Sequence, residues 1–211
     1  MRRPPGAPGR RSILLLQWAS PSPRPEGTIE VPVPGLVVLV GAAGSGKSTL
    51  AARLFGVDEV LSSDALRAAI SGDSANQRAT RPAFAILHRE VRRRLAAGRL
   101  VVVDATNVEL TARRALVRLA ADAGVAATAI VLALPASDVH ARNIGRAGRV
   151  VPADVVDRHL AAMARLGATP EAIATSLRGE GFAAAAVVTT PAELDAMAIA
   201  RTRLNPGVGR Q

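Results

Sequence analysis

One stretch of the sequence has the residue types and the spacing that bind the phosphates of a nucleotide. Residues 41–48 match the pattern G-x-x-x-x-G-K-[ST]. Glycines let successive backbone N–H groups turn inward around the β- and γ-phosphates, and the helix that follows adds positive charge at its N-terminus. Lys47, the only lysine among the 27 basic residues, is expected to pair with phosphate oxygens, and Ser48 is expected to ligate Mg²⁺. The predicted ATP-binding residues of this loop, the P-loop, are Gly41, Ala42, Ala43, Gly44, Ser45, Gly46, Lys47, Ser48 and Thr49.

The residues at the end of a predicted strand, Asp104 and Ala105, indicate how the protein uses ATP. The apolar run from Leu100 to Val103 ends in Asp104, as a strand that helps to bind a nucleotide-bound metal does. Ala105 follows at the place where hydrolytic motor ATPases usually carry a glutamate that activates water. No Asn-Lys-x-Asp sequence is present to recognise guanine. Transfer of a phosphoryl group to an acceptor hydroxyl is the remaining interpretation.

The sequence Ser62-Ser63-Asp64-Ala65-Leu66-Arg67 offers the groups that such a transfer needs. Asp64 and Arg67 lie three residues apart, so a helix places them on the same side. The carboxylate can accept the proton of the acceptor hydroxyl, and the guanidinium can stabilise the transferring phosphate. The alternative is that Asp64 only caps the helix and Arg67 is incidental.

A third cluster is rich in arginine and glycine and extends from Arg142 to Pro152. Arg142 and Arg146 share one helical face, and the glycines at 145 and 148 allow the segment to bend over the γ-phosphate as a lid that excludes water. Arginine is suited to bidentate contact with phosphate. The alternative is an ordinary basic loop.

The elements that position these residues alternate between apolar runs and helical patterns. This alternation predicts a parallel sheet in a three-layer α/β/α fold of the P-loop NTPase type. The predicted strands are Leu36–Val40, Glu59–Leu61, Leu100–Val103, Ala129–Leu134 and Phe182–Val188. The predicted helices are Lys47–Leu54, one beginning near Asp64, one beginning at Pro82, Leu110–Ala123, Ser137–Ile144, Pro152–Leu166 and one after Pro191.

Composition sets the limits of the folded region. With 211 residues, 49% of them hydrophobic, the chain has the size of one domain. Residues 1–34, rich in proline and arginine, are predicted to be disordered, residues 35–200 to form the domain, and residues 201–211 to be a basic tail. Eight arginines lie before the first acid or after the last one, so the middle of the chain carries a net charge of only +2 out of +10.

Cysteine usage and the N-terminal sequence bear on the compartment. The absence of cysteine excludes a disulfide framework, a thiolate metal site and a cysteine nucleophile. Arg10-Arg11 before a short apolar run invites comparison with a twin-arginine export signal, but the run is too short and no small-x-small cleavage site follows. A cytoplasmic protein without a membrane span is therefore expected.

Four motifs occur together in the order found in the polynucleotide 5′-hydroxyl kinase family. They are the P-loop, Leu61-Ser62-Ser63-Asp64-x-x-Arg67, Val103-Asp104-Ala105-Thr106-Asn107, and Arg142-Asn143-x-x-Arg146-x-x-Arg149-x-Val151-Pro152. The chain from about Gly35 to Ile199 therefore resembles this family, which includes the kinase module of the bacterial RNA end-healing enzyme and the phage polynucleotide kinase.

The resemblance implies ATP- and Mg²⁺-dependent phosphorylation of the 5′-hydroxyl end of RNA or DNA. It implies that Asp64 is the general base and that Arg67 contacts the scissile phosphate and the substrate. It also implies a lid whose Arg146 and Arg149 contact the γ-phosphate, with Arg142 in the nucleotide site. The substrate-binding residues that match the motif of the acceptor cleft are Asp104, Thr106 and Asn107.

Two other functions are compatible with the same residues. A small-molecule P-loop kinase that acts on a nucleoside, sugar or antibiotic hydroxyl shares the loop, the aspartate and the arginine lid, and an aromatic content of 2% provides few platforms for base stacking. A non-catalytic ATP-binding regulator would have no need for an acceptor carboxylate.

A role in end repair is expected to require separate phosphatase or ligase proteins. The three histidines, at positions 88, 140 and 159, lack metal-ligand spacing.

Overall fold

The computed structural model describes residues 27–72, 80–146 and 150–203, and its centre is a five-stranded parallel sheet. In chain order these strands are β2 (Gly35–Gly41), β3 (Val60–Ser62), β4 (Leu100–Asp104), β5 (Ala127–Leu132) and β6 (Ala184–Val188). They lie side by side in the order β3-β4-β2-β5-β6. Every residue of β2, β4 and β5 is buried, which explains why these strands are continuous apolar runs rather than alternating ones.

Helices cover both faces of this sheet. They are α1 (Lys47–Leu54), α2 (Ser63–Ser71), α3 (Thr80–Ala96), α4 (Leu110–Asp122), α5 (Ala136–Ile144), α6 (Ala153–Ala164), α7 (Pro170–Gly179) and α8 (Pro191–Ala196). One apolar cluster joins the sheet to α3, α4 and α7. A second cluster, on the other face, joins the sheet to α1, α5 and α8. The predicted three-layer α/β/α fold with a parallel sheet is confirmed.

Two further strands lie outside the predicted elements. The first, β1 (Thr28–Val33), pairs in parallel with β7 (Ala198–Arg203). Val31 is fully buried in the second apolar cluster, and Arg201 bonds Glu59 at 2.7 Å. The prediction of disorder up to residue 34 is therefore wrong for residues 28–33, and the predicted basic tail begins within a strand. The physical reason is that the apolar side chains of β1 pack on the folded domain. Residues 1–26 and 204–211 lie outside the described part of the chain.

The helix α7 was also not predicted. It begins after Thr169, whose hydroxyl accepts a hydrogen bond from the Ala172 N–H at 3.3 Å, and proline occupies its first turn. Strands β5 and β6 differ from their predicted ranges by two residues at one end or both. These differences do not move the motifs relative to the sheet.

The parallel arrangement determines where the chemistry-bearing residues meet. The P-loop follows β2, Ser63 and Asp64 follow β3, and Asp104 ends β4. Since these three strands are adjacent and run in the same direction, their carboxyl ends lie at one edge, where α/β proteins bind ligands. In the described part of the chain, no helix has the length and apolar character needed to cross a membrane.

Candidate active site

The P-loop has the backbone conformation that only glycine adopts readily. Gly44 and Gly46 have φ angles of +86° and +99°. A side chain at Gly44 would lie 2.8 Å from the carbonyl oxygen of Val139, and one at Gly46 would lie 3.2 Å from a guanidinium nitrogen of Arg142. The following helix α1 has no acidic residue in its first turn and no side-chain cap. Its first N–H groups are therefore available to an anion.

Lys47 is buried at the start of α1, and its ammonium group is held by the loop itself. Nζ donates to the carbonyl oxygens of Gly41 at 2.9 Å and Ala42 at 2.7 Å and to the hydroxyl of Ser45 at 3.3 Å. Burial lowers the pKa of Lys47 to about 8, with Asp104 acting in the opposite direction and Arg146 adding to the decrease. Gly41, Ala42 and Ser45 therefore lie behind the cleft and position the lysine.

Ser48 and Asp104 form an oxygen pair at the bottom of the cleft. The hydroxyl of Ser48 donates to Oδ2 of Asp104 at 2.7 Å, and Asp104 is buried at the end of β4. A hydroxyl and a carboxylate are hard oxygen donors of the kind that Mg²⁺ prefers. The residues present therefore fit a magnesium ion next to the bound phosphates.

Asp64 and Arg67 lie on the first turns of α2 and contact each other. Their side chains form an ion pair, with Asp64 47% exposed and Arg67 12% exposed. The hydroxyl of Ser62 accepts from the N–H of Ala65 at 3.4 Å and so caps the helix. The capping role that the alternative interpretation gave to Asp64 thus belongs to Ser62, and the carboxylate of Asp64 lines the cleft.

The arginine-rich segment leaves α5 and returns to the domain at Val151. Arg142 and Arg146 line the cleft. Arg149 lies outside the described residues, as do 147 and 148. The buried side chain of Asn143 donates to the carbonyl oxygen of Val151 at 2.7 Å and accepts from its N–H at 3.1 Å. Asn143 therefore ties the two ends of the segment together, a role that its sequence position did not indicate.

Of the motif predicted to contact the acceptor, the structure brings Thr106 to the cleft but not Asn107. Thr106 is half-buried and lines the cleft. Asn107 is 3% exposed, and its side chain donates to the carbonyl oxygen of Leu39 at 2.8 Å. Its φ of +48° lies in the left-handed region, which asparagine tolerates better than most residues. Asn107 thus connects the ends of β4 and β2 behind the cleft, and its predicted contact with substrate does not fit this position.

Sequence reasoning missed several residues that line the same cleft. His159 on α6 accepts a hydrogen bond at Nδ1 from the P-loop N–H of Ala43, at 3.4 Å. Burial and the charge of Lys47 lower the pKa of His159, which favours the neutral ring that this bond requires. No local motif marks these positions because they reach the cleft only through folding. The missed lining residues are Arg53, Phe84, Arg158, His159, Leu194 and Asp195.

Most of the predicted residues share one cleft of about 970 Å³ with the missed ones; of the predicted residues that the structure describes, Gly41, Ala42, Ser45 and Asn107 do not line it. Its lining includes one lysine and five arginines but only three carboxylates. Such an excess of positive charge is suited to a polyphosphate. Asp64, Arg67 and residues of the P-loop all line this cleft.

Comparisons with solved structures show the same fold in several kinases and related proteins. The chain is similar to part of the Pnkp1/Rnl/Hen1 RNA repair complex, with a TM-score of 0.55 and 23% identity over 64% of this chain and 45% of that one. It is similar to a sugar kinase from a Janibacter species, with a TM-score of 0.51 and 22% identity over 76% and 89% of the two chains. For Kti12 from Chaetomium thermophilum in complex with ADP-AlF3 the TM-score is 0.53, with 18% identity over 76% and 93%.

Sequence comparison identifies the family. None of the curated proteins matches this chain significantly. The profile of the AAA domain family matches residues 36–169, a range that includes the P-loop, the Asp64–Arg67 pair and the arginine-rich segment. Since this match covers more than half of the chain, the protein belongs to the AAA domain family.

Proposed function

We propose that this protein transfers the γ-phosphoryl group of ATP to the 5′-hydroxyl end of a polynucleotide. The observation that carries the proposal is the joint presence, in one cleft, of the P-loop lysine and of the carboxylate–guanidinium pair of Asp64 and Arg67. The P-loop lysine binds a phosphate of ATP, and the Asp64–Arg67 pair receives the acceptor hydroxyl. A protein that only binds ATP needs the lysine alone.

The nucleotide half of the cleft explains how the phosphates are held. Backbone N–H groups of the P-loop and the N-terminus of α1 receive the phosphate oxygens, while Lys47, Arg142 and Arg146 neutralise their charge. Ser48 and Asp104 would hold Mg²⁺, which neutralises charge on the β- and γ-phosphates when bound. The lowered pKa of Lys47, about 8, rises again when a phosphate replaces its carbonyl partners.

The acceptor half of the cleft supplies the base that accepts the proton of the acceptor hydroxyl. The acceptor oxygen forms a bond to the γ-phosphorus as the bond to the β–γ bridging oxygen breaks, so ADP leaves with that bond's electron pair. The acceptor's proton passes to the carboxylate of Asp64. Arg67, which contacts Asp64, fixes the direction of that carboxylate and adds positive charge on the acceptor side.

Ala105 supports transfer to a hydroxyl over hydrolysis. Ala105 follows Asp104 directly and is only 6% exposed. Because an alanine has no carboxylate, this position cannot activate a water molecule. A kinase gains from this arrangement because a water-activating group would waste ATP.

The four-motif resemblance supports a nucleic-acid acceptor. Residues of all four motifs, among them Lys47, Asp64, Thr106 and Arg146, line the same cleft. A kinase for a small metabolite would use the same phosphate machinery, so the acceptor itself has to be tested.

The variant Asp64→Asn tests the proposed chemistry. Asparagine keeps the shape but cannot accept the acceptor's proton, so we expect kcat for a 5′-hydroxyl oligonucleotide to fall about 100-fold or more. Affinity for a non-hydrolysable ATP analogue, measured separately by titration, should stay unchanged because Asp64 lies outside the P-loop.

The matched control is Asp122→Asn, which removes an exposed carboxylate at the end of α4. We expect it to keep wild-type turnover. Near wild-type turnover in Asp64→Asn, or an equal loss in both variants, would show that Asp64 is not the base.

A further inference from the structure

The two helices α3 and α4 present arginines on their outer sides. Both helices pack on the same face of the sheet, where Leu87 and Val91 of α3 join Leu116 and Leu119 of α4 in one apolar cluster. Arginine is the commonest residue type among the exposed residues of the two helices. We use the name arginine face for the exposed arginines of these helices that form no ion pair with a described residue: Arg81, Arg89, Arg92, Arg114 and Arg118.

Within the described part of the protein the arginine face forms no ion pair, although the carboxylate of Glu90 interacts with the charge of its chain neighbour Arg89. No described carboxylate lies within ion-pair distance of these five guanidinium groups. Other arginines of the same helices do have such partners: Arg93 and Arg94 form ion pairs with Glu90, and Arg113 forms one with Glu180. The remaining acids of this region, Glu109 and Asp122, stand at the two ends of α4.

The arginine face is continuous with the acceptor side of the cleft. Phe84 of α3 lines the cleft together with Asp64. His88 lies one turn further along the same side, with its ring centroid 6.3 Å from that of Phe84. Arg92 follows one turn later; burial of the His88 ring and, to a smaller extent, the charge of Arg92 lower the pKa of His88. The side of α3 that begins at the cleft therefore leads outward to arginine.

We infer that the arginine face binds the sugar-phosphate backbone of the nucleic acid whose 5′-hydroxyl end lies in the cleft, an inference that rests on the proposed function. Guanidinium groups bind phosphate oxygens in a bidentate manner, and unpaired ones lose no internal partner on binding. A metabolite enclosed in the cleft would not extend to these helices, whereas a polynucleotide continues beyond its reacting end.

The distance from the cleft to Arg92 determines how long an acceptor must be to contact the arginine face. Phe84 and Arg92 are eight positions apart in α3, which corresponds to about 12 Å along the helix axis. At a rise of about 3.4 Å per nucleotide, this distance spans about four nucleotides. We expect kcat/KM to increase with acceptor length over the first few nucleotides and then to level off.

The double variant Arg89→Gln/Arg114→Gln tests the inference in the full-length protein. Binding to a fluorescent 5′-hydroxyl oligonucleotide that is long enough to span the arginine face is measured by anisotropy between about 50 and 200 mM salt. Each lost phosphate contact should reduce the slope of log affinity against log salt by about 0.7, so the double variant should lose about 1.4. Phosphorylation of a 3′-phosphorylated nucleoside, too short to reach the helices, should be unchanged.

The control Arg165→Gln/Arg203→Gln removes the same charge from exposed positions outside the arginine face. It should keep the wild-type salt slope. An equal change in both double variants, or none in Arg89→Gln/Arg114→Gln, would overturn the inference. Arginine-dependent binding to anionic phospholipid vesicles without binding to the oligonucleotide would also overturn it, because the face would then serve a membrane surface.

The two proposals fail in different ways. If oligonucleotide ends are phosphorylated but the salt slope does not depend on Arg89 and Arg114, the arginine face is not the binding surface and the proposed function stands. If the slope depends on them but no nucleic-acid end is phosphorylated, the surface stands and the proposed function is wrong.

Discussion

At the scale of single residues, Lys47 stands out because its charge is buried before any ligand binds. Carbonyl oxygens of Gly41 and Ala42 hold its ammonium group, and burial lowers its pKa to about 8. A phosphate brings full negative charge to the same group, so a bound nucleotide favours the protonated lysine more than the carbonyl oxygens of the loop do. Nucleotide binding should therefore be coupled to protonation.

This coupling predicts a pH dependence of nucleotide affinity. Because the bound phosphates raise the pKa of Lys47, affinity for an ATP analogue should be greatest below pH 8 and should fall as the pH rises through about 8. The decrease should approach about tenfold per pH unit. Titration of a fluorescent analogue over this range in the presence of Mg²⁺ measures it. Lys47→Met should bind weakly with no such dependence, and a wild-type affinity that stays constant well above pH 8 would contradict the assignment.

Which single residues could be predicted from sequence depends on where their partners lie. Lys47, Ser48 and Asp64 stand in local motifs, and the structure brings them to one cleft. The partner of His159 lies far away along the chain, in the P-loop, and that of Asn143 lies eight residues on, at Val151; no spacing rule indicates either contact. Their hydrogen bonds exist only because folding buries them.

At the scale of elements, an ion pair between α4 and the end of α7 holds the loop that follows β4. Arg113 makes two contacts of 2.6 Å with the carboxylate of Glu180. It also donates to the carbonyl oxygens of Asn107 at 3.0 Å and Val108 at 2.7 Å. The carbonyl oxygen of Thr106, in the same loop, accepts the N–H of Gly41 at 3.0 Å. Arg113 therefore supports the loop that brings Thr106 to the cleft.

Removing one partner of this pair should destabilise the protein strongly. Arg113→Met leaves Glu180 buried without a counter-charge and two carbonyl groups without a donor, so the free energy of unfolding should fall by about 3–5 kcal/mol. Glu180→Gln, which retains an acceptor oxygen, should cost less. Urea unfolding measures both. The exposed neighbour Arg114→Met should change stability by less than about 0.5 kcal/mol; similar losses in the two arginine variants would show that the pair is not a buried support.

The elements themselves were predictable to different degrees. Buried parallel strands such as β2 and β4 are uninterrupted apolar runs, and the helices after them have clear apolar periodicity. The helix α7 begins with a capping threonine and a proline, signals of a helix start that the sequence interpretation did not use, and only a few residues separate it from α6. β1 and β7 contain proline or arginine and gain their structure from pairing with each other. Pairing between distant segments leaves no local signal.

At the scale of the whole molecule, the two ends of the described chain meet. β1 and β7 pair in register over Thr28–Val33 and Ala198–Arg203. Val31 has no exposed surface, and it packs with Leu39 and Met197 in the second apolar cluster. The folded unit therefore includes residues that composition alone assigned to flanking segments.

A charge at Val31 tests whether this small sheet belongs to the cooperative fold. Val31→Asp buries an unpaired carboxylate, which should cost several kcal/mol and lower Tm by at least several degrees. Thr202→Asp adds the same charge at an exposed position of the partner strand and should leave Tm near the wild-type value. Thermal unfolding followed by circular dichroism compares them. Equal Tm values for the two variants would mean that the sheet does not contribute to the stability of the domain.

Positive charge is unevenly distributed over the whole molecule. The overall charge of +10 comes largely from the arginines near the chain ends, yet the folded part concentrates positive charge in the cleft and on the arginine face. A net charge counted along the sequence does not reveal this segregation, because ion pairs such as Arg113–Glu180 remove some arginines from the surface and leave others unpaired. The distribution is consistent with a polyanionic acceptor.

The most direct test of the central claim is to follow the γ-phosphate itself. The protein is incubated with Mg²⁺ and γ-labelled ATP in the presence of 5′-hydroxyl RNA and DNA oligonucleotides together with nucleosides and sugars, with Asp64→Asn in parallel. The proposed function predicts label on oligonucleotide 5′ ends with the wild-type protein and almost none with the variant. Label on small molecules alone would contradict the polynucleotide acceptor, and label on no acceptor would contradict a kinase.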